Sequence, residues 1–147
     1  MSIEGWQKVI SINLNSLFYE MKYQIPAMVK NGGVSIVNIS FILGSVGFAG
    51  SAGYAAAKHG VIGLTQTAGL EYSAQKIRIN AVGPGFIETP LLGVLNAEMK
   101  KQLVALHPIG RLGKSDEVTQ LILWLSSDKS SFATGSYYPV NGGCLAR

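Results

Sequence analysis

Tyr54 and Lys58 stand four residues apart in a run of small residues, GYAAAKHG, at a spacing that projects both from one face of a helix. A free phenol titrates at about 10, too high for proton transfer at neutral pH. A neighbouring ammonium favours the phenolate, so such a pair can pass a proton to or from a substrate oxygen. The same spacing also arises on helix surfaces with no chemistry at all. Three other segments bear on the choice. Asn13 falls on an apolar helical seam between Ile10 and Leu17, where a buried amide needs partners and can hold an ordered water. Gly83-Pro84-Gly85-Phe86-Ile87-Glu88-Thr89 leaves the carboxyl end of a strand, where open α/β sheets bind ligands. Its backbone N–H groups and the Thr89 hydroxyl are candidate ligand donors. Asn141-Gly142-Gly143 reads as a structural turn.

These residues need elements to hold them. Trp6, Val9, Ile10, Leu14, Leu17, Phe18, Met21, Ile25 and Met28 recur at three- and four-residue steps, an amphipathic helix that Pro26 is expected to bend or end and that Asn31-Gly32-Gly33 stops. A strand follows over Val34 to Ser40, then a helix from about Ser51 to Lys76. A second strand covers Ile77 to Val82. Thr89-Pro90 predicts an N-cap and a helix that ends before Pro108. Another helix starts at Ser115-Asp116-Glu117, capped by the Ser115 hydroxyl, and a last strand spans Ser136 to Val140. Strands separated by helices imply a parallel sheet covered on both faces. Only three strands are offered, so the first is expected to present an open edge.

Composition narrows the function classes. The 147 residues make one domain, 48% hydrophobic and 14% charged, with 18 glycines, which excludes disorder and suits elements buried on more than one side. The net charge of +4 is thinly spread, with no cationic patch for nucleic acid. Cys144 is the single cysteine, without a disulfide partner or metal-ligand companions, and fits a reducing cytoplasm. No segment has the length of a bilayer span, and the first residues do not resemble a signal peptide, so a soluble, cytoplasmic chain is expected.

Taken together, the chain resembles the second half of a short-chain dehydrogenase/reductase, a family of NAD- or NADP-dependent oxidoreductases with a Rossmann fold. Trp6 through Asn13-Leu14 looks like the family's helix bearing an active-site asparagine, and Ser35 to Ser40 resembles the strand that delivers the catalytic serine. Tyr54-Ala-Ala-Ala-Lys58 matches the YxxxK pair. Pro84-Gly85 through Thr89-Pro90 looks like the segment beside the nicotinamide, and Gly135 to Gly143 resembles the closing strand and turn. The resemblance implies a partial, doubly wound α/β sheet of three parallel strands with helices on both faces, lacking the N-terminal dinucleotide-binding half. It implies hydride transfer between a nicotinamide and an alcohol or ketone, with catalytic Tyr54, Lys58 and Asn13. Tyr54 would be the acid/base, Lys58 would lower its pKa and bind the nicotinamide ribose, and Asn13 would support a relay water. Tyr54, Lys58, Pro84, Gly85, Ile87 and Thr89 would meet the cofactor, the last two through the carboxamide. A homo-oligomer, dimer or tetramer, through the two long helices is also implied.

Two departures oppose full activity. Phe41 occupies the position thirteen residues before Tyr54 where the family places its serine. Ser40 would serve only after a register change, because successive strand side chains face opposite ways. Ser45 is a further donor without a spacing argument. No GxxxGxG turn or NNAG-like loop is present either, so weak NAD(P) binding is expected. The alternative is a non-catalytic remnant or an interaction module.

Overall fold

The computed structural model describes residues 1–146. The first helical stretch runs as α1 (Ile3–Ile10), one wide π turn over Ser11–Asn15, and α2 (Ser16–Lys30). Pro26 does not end α2, which continues to Lys30, so of the bend or end expected from the sequence the end does not occur. A proline removes a single backbone donor, and Met21 and Ile25, both buried just before it, hold the helix onto the sheet. The helix stops where expected. Gly32 takes a φ of 91°, its N–H donates to the Val29 carbonyl, and Gly33 N–H donates to that of Met28, satisfying two terminal carbonyls.

Three strands follow, β1 (Ser35–Ile39), β2 (Arg78–Pro84) and β3 (Tyr137–Val140), all parallel in the order β1-β2-β3. The first crossover is α3 (Ala52–Tyr72). The second carries α4 (Pro90–Gly93), α5 (Ala97–Ala105) and α6 (Ser115–Ser126). The single helix expected after Thr89 is thus two, because Asn96 breaks it and accepts the Met99 N–H at 2.8 Å as a new N-cap. Ser115 is likewise inside α6 rather than its cap. Lys114 takes the cap position, and its N–H donates to the Glu117 carboxylate.

One face of the sheet packs Ile36, Ile77 and Ile79 against Met21, Ile25 and Ala68 of α2 and α3. The other packs Val82 against Val118 and Leu125 of α6. This is the three-stranded α/β sheet with helices on both faces that the element order implied.

β1 is an open edge. Arg78 N–H donates to the Val34 carbonyl and Ser40 N–H to that of Val82, so the even-numbered residues of β1 face β2. The backbone groups of Ser35, Val37 and Ile39 therefore point away from the sheet. A cavity of about 470 Å³ follows this edge, lined in part by Asn13, Leu17, Val37, Ile39 and Lys58. No helix among the described residues is long and apolar enough to cross a membrane.

Candidate active site

The carboxyl ends of β1 and β2, together with the first turns of α3, enclose a second cavity of about 620 Å³. Tyr54 and Lys58 border it, as do Pro84, Gly85, Ile87 and Thr89. Asn13 lies apart, on the edge cavity that Lys58 and Ile39 share with the main one.

Tyr54 and Lys58 project together from α3, with Nζ 5.4 Å from the centre of the phenol ring. Nζ donates to the Ile39 carbonyl at 3.0 Å, one of the outward groups of the open edge. Burial pushes the Tyr54 phenol above its usual value and the Lys58 ammonium below its own. The sequence suggested the opposite direction for Tyr54. Desolvation sets the direction here, and Tyr54 is a phenol, the form that donates to a carbonyl oxygen.

Phe41 follows β1 and turns its ring into the cavity. Its centre is 5.8 Å from Tyr54 and 5.3 Å from Phe86, both edge-on. Ser40 also borders the cavity, but its hydroxyl is not free to face Tyr54. Its hydroxyl is buried and donates to the Lys58 backbone carbonyl at 3.0 Å, fastening β1 to α3. Ser45 donates to the Ile42 carbonyl at 3.1 Å and does not border the cavity. No hydroxyl among the described residues stands where Phe41 stands. Tyr137, the first residue of β3, fixes that position by donating its hydroxyl to the Phe41 carbonyl at 3.0 Å. It passes so close to Gly83 that any side chain there would collide with its ring.

Asn13 sits within the π turn, a distortion that recurs at functional sites. Its side-chain amide donates to the Val9 carbonyl at 3.0 Å, and Ser16 N–H reaches back five residues to Ser11. The side-chain carbonyl of Asn13, half-buried at the edge cavity, has no hydrogen-bond partner among the described residues.

The segment after β2 offers two donors. Gly113 N–H donates to the Phe86 carbonyl at 3.0 Å and Glu88 N–H to the Gly113 carbonyl at 2.8 Å. These bonds flank Ile87 and turn its own N–H and C=O away from Gly113. Thr89 occupies the N-cap of α4 as expected, yet its hydroxyl makes no capping bond. Asn141 closes the turn after β3 by accepting Gly143 N–H at 3.0 Å, the structural part read for it in the sequence.

Phe86, Tyr137 and His107 were not singled out in the sequence. Nothing local marks a strand tyrosine as the anchor of a residue 96 positions earlier. For His107 the available signal was a lone imidazole directly before Pro108, in a stretch otherwise short of polar side chains. Among the described residues no group of three His, Cys, Asp or Glu is placed to hold a metal ion.

Comparisons with known proteins place the chain in a family. Residues 1–144 match the family model described as enoyl-(acyl carrier protein) reductase. Cyclohexanol dehydrogenase of Acinetobacter sp. (strain SE19) is 52% identical over 148 residues, which is 100% of this chain and 57% of that protein. The 3-oxoacyl-(acyl-carrier-protein) reductase of Thermotoga maritima is 43% identical over 145 residues, 99% of this chain and 59% of that one. A provisionally assigned 2-deoxy-d-gluconate 3-dehydrogenase from Agrobacterium tumefaciens, solved with bound NADP, superposes with a TM-score of 0.95 at 34% identity. The alignment covers 100% of this chain and 61% of that structure. The chain thus spans less than two thirds of the length of these relatives.

Proposed function

The chain belongs to the short-chain dehydrogenase/reductase family, and from that premise we propose that it is an NAD(P)-dependent oxidoreductase impaired as it stands. Its reaction would be hydride transfer between a nicotinamide and an alcohol or ketone. The observation that carries the impairment is Phe41. Across the cavity from the Tyr54 phenol stands a ring that cannot donate a hydrogen bond, and the adjacent Ser40 hydroxyl is committed to the Lys58 carbonyl.

The donors at the cavity suit the nicotinamide half of a dinucleotide. Lys58 Nζ would exchange the Ile39 carbonyl for ribose hydroxyls, a modest change for an ammonium on a flexible stem. The Ile87 backbone and the uncommitted Thr89 hydroxyl would hold the carboxamide, with Pro84 and Gly85 forming the floor. When bound, the nicotinamide supplies or accepts the hydride. Tyr54, a protonated phenol at neutral pH, donates its proton to the carbonyl oxygen during reduction and takes one back during oxidation. Asn13, at the edge cavity beside Lys58, would hold the water that returns the proton to solvent.

The test is a melting curve of the purified chain with NADPH or NADH, followed by turnover of a small cyclic ketone. A ligand that binds the native state raises the melting temperature. A small rise and slow turnover, abolished by Tyr54→Phe, are expected. A folded chain that shows no rise and no Tyr54-dependent turnover overturns the enzyme reading.

A second reading, a non-catalytic module that associates with related chains, is favoured by one observation. Phe18, Tyr19 and Tyr23 on α2 and Leu70 on α3 lie exposed, and β1 offers an unpaired backbone edge. The same faces would serve a cytoplasmic dimer or tetramer of the active enzyme.

A further inference from the structure

We propose that His107 is a positioning residue that sets the Gly85–Ile87 turn at the rim of the active site. His107 follows the last turn of α5, and only 3% of its surface is exposed. Its ring makes two hydrogen bonds. Nδ1 lies 2.8 Å from the Leu103 carbonyl, and Nε2 lies 3.1 Å from the backbone N–H of Phe86. A carbonyl only accepts and an amide N–H only donates, so the partners fix the tautomer: Nδ1 carries the proton and Nε2 is the acceptor. The imidazole therefore ties the end of α5 to the turn 21 residues earlier.

Gly85 supports the same assignment independently. A Cβ added there would lie 2.6 Å from His107 Nε2 and 3.1 Å from the Asn141 backbone. Gly85 is a glycine with an ordinary negative φ, so backbone conformation does not demand it; the approach of the imidazole does. From the clamped amide the constraint passes to the chemistry. The Phe86 ring lies edge-on to His107 at 5.9 Å and to Phe41 at 5.3 Å, and Phe41 in turn meets Tyr54. Ile87 is the next residue, so the acceptor on His107 sets where its outward amide sits. The consequence for cofactor binding rests on the oxidoreductase reading, whereas the clamp itself does not.

The experiment compares wild type, His107→Gln and His107→Leu. Glutamine places a side-chain amide oxygen near the position of Nε2; leucine fills the space without an acceptor. Backbone amide exchange is read by NMR at Phe86, with Ala81 and Val82 of β2 as internal controls, and the imidazole nitrogen shifts of wild type report the tautomer. Removing one neutral hydrogen bond should speed Phe86 exchange by roughly tenfold. We expect that loss in His107→Leu with the β2 controls unchanged, its reversal in His107→Gln, and an unprotonated Nε2 in wild type. Unchanged Phe86 exchange in His107→Leu, or equal losses in both variants, overturns the proposal. If His107→Leu fails to fold, the glutamine variant and the wild-type tautomer decide, and a protonated Nε2 refutes it. NADPH affinity measured on the same samples separates the two readings. Wild type that binds no NADPH while the exchange pattern holds counts against the oxidoreductase reading and leaves the clamp standing.

Discussion

Phe41→Ser should raise activity while lowering stability, and the structure sets the scale of both. The Phe41 ring makes edge contacts with Tyr54 and Phe86, each worth about 0.5–1.5 kcal/mol beyond the area they bury. The ring is half-buried, so its removal also forfeits about 1 kcal/mol of hydrophobic transfer. A loss of about 2–4 kcal/mol results, or a fall of about 5–15 °C in melting temperature for a chain of this length. Against that, the serine hydroxyl would stand opposite Tyr54 in a cavity of about 620 Å³ that the departing ring enlarges. A donor placed on the developing oxyanion is worth about a hundred- to a thousand-fold in rate. The assay is oxidation of NADPH by a small cyclic ketone, followed by the nicotinamide absorbance, with melting curves on the same preparations. Phe41→Ala is the control, since it removes the ring without supplying a donor. Equal turnover in the serine and alanine variants would refute the reasoning, because relief of crowding would then account for the gain. A folded Phe41→Ser protein with no turnover at saturating NADPH would refute it as well.

The Glu117 carboxylate accepts two bonds from Arg111, at 2.7 and 2.8 Å, and one from the Lys114 N–H. The Arg111 bonds, then the Lys114 bond, hold its pKa down from 4.5 to about 2. A depressed carboxylate stabilises the fold fully above its unfolded value and loses that contribution as pH falls through the folded one. The melting-temperature gap between wild type and Glu117→Gln should therefore be constant at neutral pH and close between pH 4.5 and about 2; a gap that persists at the acid end contradicts the pairing. At the sheet edge, amides of Ser35, Val37 and Ile39 should exchange with solvent far faster than those of Ile36 and Asn38, which pair with β2. Uniform protection along β1 in native-state exchange would show that a second chain covers the edge in solution.

Much of the scaffold is written in local sequence. Three- and four-residue apolar steps gave α2 its buried face, alternation and bounding glycines marked the strands, and Asn31-Gly32-Gly33 stopped the helix as its conformational freedom requires. Helices between strands sufficed for a parallel sheet. The expectations that failed were also local. Pro26 was tolerated because burial of Met21 and Ile25 outweighs one missing hydrogen bond, and Asn96 split a helix that periodicity alone would have continued.

The candidate site divides along the same line. The sequence by itself determined that Tyr54 and Lys58 share a helix face, because four residues of α-helix permit little else. It also determined that Ser40 and Phe41 face opposite ways, because a strand alternates. Only the tertiary structure decided which of those two met Tyr54, that Lys58 rests on an edge carbonyl, and that burial raises the Tyr54 pKa rather than lowering it. It alone brought His107 to Phe86 and Tyr137 to Phe41. Periodicity records the face a side chain takes on its own element. The partner it meets depends on how separate elements pack, and the field it feels depends on the water that packing removes.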